Sequence, residues 1–350
     1  MGDTVPGIDF ERLTPWFNAH VKPVRSLSAR IIGHGRSNLT YRLESDEGEA
    51  WVLRRPPLSH VLPTAHDMKR EFRVISALHG RVPTPTAIAL CEDSAVNGAP
   101  FYIMSFVDGM VPADPVAFTA KYPESARRRI GEGLIDTLVD LHAVKPDEVG
   151  LADFGKPQGF IERQVRRFAG QIEQHKTRDV PELEELARRL AAAIPPERGD
   201  YSIVHGDYRI DNCVLADDGS IAAVLDWEMA TLGDPLADVG LIIMYWAPPP
   251  GETAATGVAS NSVTGSPGFL TRDEAIARYA QRSGRTLENI DFYIVLAHFK
   301  LAVIVEGIYA RFLKGGTVGE GFEGTGAQAM GLARAGLALA DRSSVAALRG

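Results

Sequence analysis

The sequence predicts an α+β protein with a small, sheet-rich N-terminal lobe at residues 1–107 and a larger helical C-terminal lobe at residues 108–350. Three observations lead to this prediction. Before Asp108, apolar residues alternate with polar ones, as is typical of strands. Beyond it they recur every three or four residues, as is typical of helices. The chain has 350 residues, 45% of them hydrophobic, which is enough for one large domain or two lobes.

The predicted N-terminal lobe is a mainly antiparallel sheet with one helix. Residues 31–43 read IIGHGRSNLTYRL and predict a strand, a glycine turn and a second strand. Residues 50–55, AWVLRR, alternate in the manner of a third strand. A helix is predicted over about residues 65–78, followed by strands over residues 87–90 and 101–107.

Two helical faces and several short strands are predicted in the C-terminal lobe. The first face consists of Ile130, Leu134, Leu138 and Leu141, and the second of Leu183, Leu186, Leu190 and Ile194. Strands are predicted around residues 202–204, 213–215 and 222–225, with a hairpin turn at Asp217-Asp218-Gly219. Residues 248–268 are rich in Gly, Pro, Ser and Thr without periodicity, and a loop of this length is usually mobile or functional.

The composition argues against several classes of protein. A net charge of −8 without a clustered basic face does not fit a nucleic-acid-binding protein, and two cysteines exclude a disulfide framework. The N-terminus lacks a basic region followed by an apolar run, so we expect no signal peptide. The apolar segment 293–309 is interrupted by His298, Lys300 and Glu306, which favours a packed helix over a membrane span. We therefore expect a cytoplasmic protein with neither a nucleic-acid nor a membrane partner.

Polar residues near two predicted strands have the chemistry of a metal site beside a base. Residues 204–215, VHGDYRIDNCVL, contain the spacing H-x-D-x-x-x-x-N, and Asp226 follows the strand predicted at residues 222–225. If the two strands pair, Asn212 and Asp226 lie at the same open end of the hairpin, where their oxygens suit Mg²⁺. Asp207 could then accept a proton from a hydroxyl. The alternative is that Asp207 and Asn212 only fix a loop by hydrogen bonds.

The glycine turn at residues 33–38, GHGRSN, is a second candidate binding element. Glycines allow the backbone to approach a phosphate closely, and exposed N–H groups can bind its oxygens. A plain hairpin turn is the alternative.

Arg54 and Glu71 form a third candidate group. Glu71 lies on the apolar stripe of the predicted helix, with Ile75 and Leu78 on the same face, and a carboxylate in that position needs a partner. Arg54, on the preceding strand, can supply one, and its planar guanidinium also binds phosphate oxygens. A purely structural ion pair is the alternative.

Taken in order, these features resemble the protein-kinase-like fold: a glycine-rich hairpin, a basic residue on the third strand, a helix glutamate, H-x-D-x(4)-N and a later Asp. HGDYRIDN followed by LDWE is most similar to the aminoglycoside phosphotransferase and choline kinase family, with DWE in place of DFG. Segments such as WVLRRPP, HDMKREFRVISAL, FYIMSFVDG and GDPLADVG resemble a subgroup, the phosphotransferase domains linked to acyl-CoA dehydrogenases. The resemblance covers residues 10 to 340.

The resemblance implies a role for each residue of the catalytic motifs. Asp207 would be the catalytic base, and His205 would support its loop. Asn212 and Asp226 would hold Mg²⁺. Arg54, where the family usually has lysine, would contact the α- and β-phosphates of ATP.

The resemblance also implies a nucleotide site and several supporting residues. Glu71 would orient Arg54, and the phosphate-covering loop would consist of Gly33, Gly35, Ser37 and Asn38. Met104 would line the adenine, and backbone groups of Ser105 and Val107 would bind it. Glu228 would have a supporting or substrate-side role, and Asp238, in the segment GDPLADVG, a mainly structural one.

The sequence thus predicts an ATP- and Mg²⁺-dependent phosphotransferase that transfers the γ-phosphate to a hydroxyl of a small molecule. The resemblance to the dehydrogenase-linked subgroup implies a hydroxyacyl- or CoA-like acceptor, and the lack of an acidic cluster beyond the catalytic residues argues against an aminoglycoside. The loop at residues 248–268 is expected to be a flexible wall or lid near the acceptor. One alternative is a non-catalytic nucleotide-binding pseudokinase module. Another is a metal-dependent hydrolase built on His205, Asp207 and Asp226, which leaves the Arg54–Glu71 pair unexplained.

Overall fold

The computed structural model describes residues 5–32, 38–58, 67–174, 176–248, 263–315 and 321–350. The chain divides into two compact units. The first consists of Met1–Gly109 and Ala222–Ala230, and the second of Met110–Ile221 and Thr231–Gly350. Residues 222–230 therefore join the first unit although they lie far along the chain.

The first unit is built on a five-stranded antiparallel sheet in the order β1-β2-β3-β5-β4. Its strands are β1 (Leu27–Ile31), β2 (Leu39–Ser45), β3 (Ala50–Arg55), β4 (Ala87–Cys91) and β5 (Phe101–Ser105). The predicted sheet is confirmed, and β3 begins and ends where the alternation of AWVLRR predicts. Because β3 pairs with β2 on one side and β5 on the other, all of its residues after Ala50 are buried.

The described residues of the first unit form three helices: α1 (Phe10–His20), α2 (Met68–Leu78) and α3 (Ser94–Asn97). Helix α2 begins three residues after the predicted start and is capped by the Asp67 side chain, which accepts from the Arg70 N–H. Helix α1 is absent from the sequence prediction. It packs on the sheet through Leu13 and Phe17, and the Phe17 and Trp51 rings meet edge to face at 5.0 Å.

The second unit is mainly helical. Its helices are α4 (Pro115–Lys121), α5 (Glu124–Ala143), α6 (Phe160–Gln174), α7 (Pro181–Ala192), α8 (Leu236–Tyr245), α9 (Arg272–Ser283), α10 (Ile290–Leu313) and α11 (Thr325–Arg342). The predicted apolar face of α5 is fully buried, and so is that of α7, except that Ile194 lies just beyond the helix and is only partly buried. The hydrophobic periodicity therefore identified both faces.

Helix α10 is the one helix among the described residues that is both long and apolar enough to resemble a membrane span. By length and composition it could cross a membrane, and 72% of its most apolar 18-residue window is buried inside the protein. It packs against α8 and α11, and its charged Glu306 forms an ion pair with Arg178, with 2.6 Å between Oε2 and Nη2. This packing agrees with the expected core helix.

Short strands and turns carry the H-x-D-x(4)-N motif and the Asp226 segment. Strand β6 (Ser202–Val204) pairs antiparallel with β9 (Thr231–Gly233). Strands β7 (Cys213–Leu215) and β8 (Ile221–Val224) also form, and two 3₁₀ turns (Ile210–Asn212 and Trp227–Met229) precede and follow them. The turn at Asp217-Asp218-Gly219 is closed by the Gly219 N–H, which donates to Ala216 O at 2.9 Å.

Two predicted segments lie wholly or mostly outside the described residues. They are the glycine turn, of which residues 33–37 are not described, and the long loop, of which residues 249–262 are not described. Their predicted roles stay predictions.

Gly240 sets how closely α8 approaches α10. A Cβ at this position would lie 2.6 Å from the Tyr293 Cβ and closer still to the Tyr293 carbonyl group. Gly240→Ala should therefore lower the free energy of unfolding by about 1–3 kcal/mol, because the backbones must separate. Gly170→Ala is the control: it lies in α6 with no atom within 4 Å of the added Cβ and should stabilise by up to about 1 kcal/mol. Urea unfolding of both variants measures this, and equal effects would contradict the proposed contact.

Candidate active site

Arg54 is the centre of a polar cluster in the first unit and is only 9% exposed. Its Nε lies 2.9 Å from Oε1 of Glu71, and its Nη1 donates to Thr40 Oγ1 at 3.2 Å. Nη2 forms an ion pair with Asp226 and lies 3.5 Å from Oε2 of Glu228. Strand β3, helix α2 and the turn after β8 therefore meet at one guanidinium, and the structure brings Arg54 and Glu71 together as the sequence suggested.

Burial and charge act in opposite directions on this cluster. Removal from water raises the pKa of Glu71, and the charge of Arg54 opposes that shift. For Arg54, burial disfavours the cation, but the charges of Glu71, Asp226 and Glu228, together with Tyr102, outweigh burial and raise its pKa. One guanidinium faces three carboxyl groups, so the cluster has an excess of acidic groups that a further cation would offset.

Asp226 has an unusual backbone conformation. Its φ is 64° and its ψ is 59°, and among the described residues it is the one non-glycine residue with positive φ. Such a conformation costs about 1–3 kcal/mol and is often found at functional sites. The adjacent Trp227 is buried and anchors the turn, since its Nε1 donates to Val224 O at 2.9 Å. The turn therefore holds the Asp226 carboxylate against Arg54.

Asn38 was expected in the phosphate-covering loop. In the structure its side-chain amide donates to Oε2 of Glu228 at 2.8 Å and lies 3.5 Å from Oε2 of Glu71. Asn38 thus extends the Arg54 cluster, and its contact with phosphate stays a prediction. Gly33, Gly35 and Ser37 lie outside the described residues.

The residues expected around the adenine lie at the end of β5. Met104 is buried, whereas Ser105 and Val107 are partly exposed. The Ser105 N–H donates to Thr86 O and its hydroxyl accepts from the Thr86 N–H, both at 2.9 Å. Any contact from the Ser105 backbone to a base would therefore use its carbonyl.

In the second unit, the buried carboxylate of Asp238 holds the backbone of the H-x-D segment. The N–H groups of His205 and Gly206 donate to its two oxygens at 2.6 and 2.8 Å. The Asp207 N–H donates to Nδ1 of His205 at 3.2 Å, which gives the His205 ring a defined supporting contact. On the opposite side, Nζ of Lys300 donates to Gly206 O at 2.9 Å.

Asp238 is itself held by a buried histidine. Burial alone would raise the pKa of Asp238, but the hydrogen bonds from His142 and from the Gly206 N–H help to outweigh it, and the pKa is lowered. Burial lowers the pKa of His142, so this ring is neutral at neutral pH. Its Nε2 then donates to Asp238 over 3.3 Å, and its Nδ1 accepts from the Tyr279 hydroxyl at 2.7 Å.

Asp207 and Asn212 lie side by side. The Asn212 Nδ2 donates to the Asp207 backbone carbonyl at 2.8 Å and to Oδ2 of its carboxylate at 3.0 Å. Arg209 lies 3.4 Å from the same Oδ2 and 2.7 Å from Oδ2 of Asp211, and its guanidinium stacks on the Tyr245 ring. The Asp207 carboxylate therefore lies among hydrogen-bond donors and cations.

Asn212 in the second unit and Asp226 in the first each carry a side-chain oxygen of the kind that Mg²⁺ binds. Because Nδ2 of Asn212 donates to Asp207, the side-chain carbonyl oxygen of Asn212 is its atom that can bind a metal. Asp226 offers a carboxylate. Mg²⁺ is usually held by one or two such protein oxygens together with water and phosphate. Across the part of the chain that the structure describes, no three His, Cys, Asp or Glu side chains form a metal-binding group.

Asp238 was expected to be mainly structural, and its carboxylate binds the backbone beside Asp207. Two further residues near this loop had no predicted role. The first is His142, on α5. Lys300 was visible as a charge inside an apolar segment, and that interruption was the signal that could have identified it.

A five-stranded sheet with a buried Arg–Glu pair and a helical unit with an H-x-D-x(4)-N loop define a kinase-like phosphotransferase. The chain belongs to the phosphotransferase enzyme family abbreviated APH, whose family model matches residues 28–279.

Similar proteins support the family and the fold. Acyl-CoA dehydrogenase family member 11 of Gallus gallus is 34% identical over 337 residues, which cover 94% of this chain and 42% of that protein. A crystal structure from Ralstonia eutropha JMP134, provisionally named an aminoglycoside phosphotransferase, is 32% identical with a TM-score of 0.78, covering 95% of this chain and 98% of that one. Spectinomycin phosphotransferase APH(9)-Ia, solved with ADP and spectinomycin, is 12% identical with a TM-score of 0.61 and coverages of 96% and 99%, which shows the fold alone. The chain spans less than half the length of the curated relatives it matches.

Arg54 should be essential to the stability of the first unit. Arg54→Met removes the cation from three carboxyl groups and should lower the free energy of unfolding by about 3–5 kcal/mol. Arg54→Lys keeps a charge but loses the planar fork, so the loss should be smaller, about 1–3 kcal/mol. The exposed Arg30 on β1 provides the control Arg30→Met, which should change stability by less than about 0.5 kcal/mol. Urea unfolding measures all three, and a loss in Arg54→Met as small as that of the control would contradict this role.

Asp238 should stabilise the second unit in a pH-dependent way. Its folded pKa lies below the ordinary value, so its stabilisation is complete above the ordinary pKa and is lost as pH falls towards the folded pKa. Asp238→Asn places an amide where a backbone N–H needs an acceptor and should cost about 1–3 kcal/mol at neutral pH. The difference from wild type should shrink on acidification. Urea unfolding across the acidic range tests this, with the exposed Asp140→Asn as control; a difference independent of pH would contradict it.

Proposed function

We propose that this protein is an ATP- and Mg²⁺-dependent phosphotransferase that transfers the γ-phosphate to a hydroxyl of a small molecule. The observation that carries the proposal is the loop around Asp207. Its carboxylate accepts from Asn212, and its backbone is fixed through the neighbouring peptide groups by Asp238 and Lys300. A loop restrained in this way suits a reaction that depends on positioning and electrostatics, as phosphoryl transfer does.

Each residue of the two groups has a role in this proposal. Asp207 orients the acceptor hydroxyl and accepts its proton, and His205 supports the loop through its contact with the Asp207 N–H. Asn212 and Asp226 would hold Mg²⁺, which when bound offsets the charge of the phosphate oxygens. Arg54 binds phosphate oxygens with its fork and is oriented by Glu71.

The nucleotide site is proposed in residues 1–107, and the acceptor site in residues 108–350. Met104 would line the adenine, the Ser105 carbonyl and the Val107 backbone would bind it, and residues 33–38 would cover the phosphates. The ADP bound to the spectinomycin phosphotransferase supports nucleotide use in this fold. We also propose a cytoplasmic location.

The acceptor is proposed to be a hydroxyacyl- or CoA-like compound. An aminoglycoside carries several amines and needs acidic groups, whereas Arg209 and Lys300 place cations near Asp207. Relatives named acyl-CoA dehydrogenase family members carry a similar segment within a longer chain, which supports an acceptor related to acyl-CoA. The loop at residues 248–268 would form a wall or lid near this acceptor.

The non-catalytic module is less well supported. Such a protein would lack a base, a metal ligand or a phosphate-binding cation, whereas Asp207, Asn212, Asp226 and Arg54 are all present. A metal-dependent hydrolase would leave the Arg54–Glu71 ion pair without a purpose in the reaction.

The test is Mg²⁺-dependent consumption of ATP by the purified protein with a panel of hydroxylated acceptors. The panel contains hydroxyacyl-CoAs, free hydroxy acids, sugars, amino alcohols and aminoglycosides. Asp207→Ala should lower turnover by about 10²–10⁴-fold, on the scale of general-base contributions. Asp140→Ala, which removes an exposed carboxylate of α5, should retain wild-type turnover.

Turnover with one acceptor class that is lost in Asp207→Ala establishes the reaction and the substrate class together. Full turnover in Asp207→Ala would refute the role of the base. ATP binding without turnover on any acceptor would favour the non-catalytic module.

A further inference from the structure

Lys300 is a charged residue within the apolar helix α10. Helix α10 has 24 residues, and Lys300 follows a run of eight buried residues from Phe292 to Phe299. Burial lowers the pKa of Lys300, and the charges of Asp207 and Asp238 partly offset this effect. Removing an ammonium from water is unfavourable unless it is paired, so its position is best explained by the groups it contacts.

The contact that Lys300 makes is with the backbone next to Asp207. Its Nζ donates to Gly206 O at 2.9 Å. The N–H of the same peptide group, between Gly206 and Asp207, donates to Nδ1 of His205 at 3.2 Å. The preceding peptide group is fixed by Asp238, which accepts from the Gly206 N–H at 2.8 Å. Each peptide group on either side of Gly206 is therefore held by a side chain.

Gly206 is the point at which this loop can change conformation. Its φ is +83°, a region that glycine adopts freely and other residues rarely adopt. A glycine also has many alternative backbone conformations, so the peptide group that follows it can rotate at low cost unless both of its ends are bonded. Rotation of that peptide would redirect the Asp207 side chain. The bond from Lys300 opposes this rotation at the carbonyl end.

We infer that Lys300 is a positioning residue, whose ammonium holds the peptide group between Gly206 and Asp207 and thereby keeps the Asp207 carboxylate aimed for phosphoryl transfer. The catalytic consequence rests on the proposed function. The positioning itself does not, because it concerns only the loop and helix α10.

The experiment compares Lys300→Met with Lys314→Met. Methionine keeps the volume of the lysine stem but cannot donate a hydrogen bond, and Lys314 is an exposed lysine at the end of the same helix. Hydrogen exchange measured by mass spectrometry reports on residues 204–212 without any substrate. We expect exchange of this segment to be about 10-fold faster in Lys300→Met and unchanged in Lys314→Met. Exchange elsewhere in the protein should not change.

Turnover is the second readout. Misplacing a catalytic group by about 1 Å can cost about 10²-fold, so kcat of Lys300→Met should fall by about 10–100-fold. The Kd of ATP should stay within about 2-fold of wild type, since the nucleotide residues are untouched. Lys300→Arg retains a charged donor and should restore part of both the exchange protection and kcat. It also serves as the test variant if Lys300→Met does not fold.

The outcomes separate the two proposals. Faster exchange of residues 204–212 with lower kcat and unchanged ATP binding supports the inference. Faster exchange in a protein whose wild type binds ATP but shows no turnover on any acceptor supports the positioning and favours the non-catalytic module over the phosphotransferase. Unchanged exchange in Lys300→Met, or a loss of protection spread over the whole protein, overturns the inference.

Discussion

A single buried guanidinium connects three parts of the first unit that are distant in sequence. Arg54 on β3 contacts Glu71 on α2 and Asp226 and Glu228 in the turn after β8. Burying these groups is favourable only while all are paired, because each charge left alone in this environment would cost several kcal/mol. The same contact that stabilises the unit therefore fixes the carboxylate proposed to bind metal. The stability of the first unit and the position of the Asp226 carboxylate both depend on Arg54.

In the second unit, a buried carboxylate has a role comparable to that of Arg54 in the first. Asp238 accepts from two successive N–H groups, and the neutral His142 donates to it from the other side. A carboxylate can serve two donors that point towards it, whereas a neutral side chain of similar size offers fewer acceptor sites. In both units a charged side chain restrains the backbone or side chain beside a candidate functional group. Such restraint is what a reaction controlled by positioning requires.

Local sequence patterns predicted most of the helices and strands. The features that they did not predict depend on contacts between residues distant in sequence. The alternation of AWVLRR gave both ends of β3, and the spacing of Ile130, Leu134, Leu138 and Leu141 identified the buried face of α5. Helix α1 escaped notice because Pro15 lies inside it and only Leu13 and Phe17 are buried. Proline inside a helix removes one backbone hydrogen bond and usually argues against a helix; α1 forms despite it, with Leu13 and Phe17 packed on the sheet.

The candidate site was likewise predictable only where it depends on local sequence patterns. The motif spacing identified Asp207, Asn212 and Asp226 as chemical candidates, and a carboxylate on an apolar stripe identified the Arg54–Glu71 pair. No local pattern indicates that residues 222–230 belong with the first unit, or that Asn38 donates to Glu228 across 190 positions. The contacts of Asp238 and Lys300 with the loop also depend on tertiary packing. A charge in an apolar helix shows that a partner exists, but only the fold shows which one.

The arginine at position 54 and the glutamate at position 228 are best understood together. A lysine presents its charge and its three donors at a single nitrogen, whereas an arginine spreads its donors over a planar fork. The guanidinium has donors on three nitrogens, and here Nε serves Glu71, Nη1 serves Thr40, and Nη2 serves Asp226 with Glu228 nearby. Because Glu228 also accepts from Asn38, its carboxylate is held on two sides and does not displace Asp226 from Arg54. The wider fork of arginine thus accommodates the additional acid of the DWE motif. Arginine in place of lysine therefore does not by itself indicate a protein that has lost its activity.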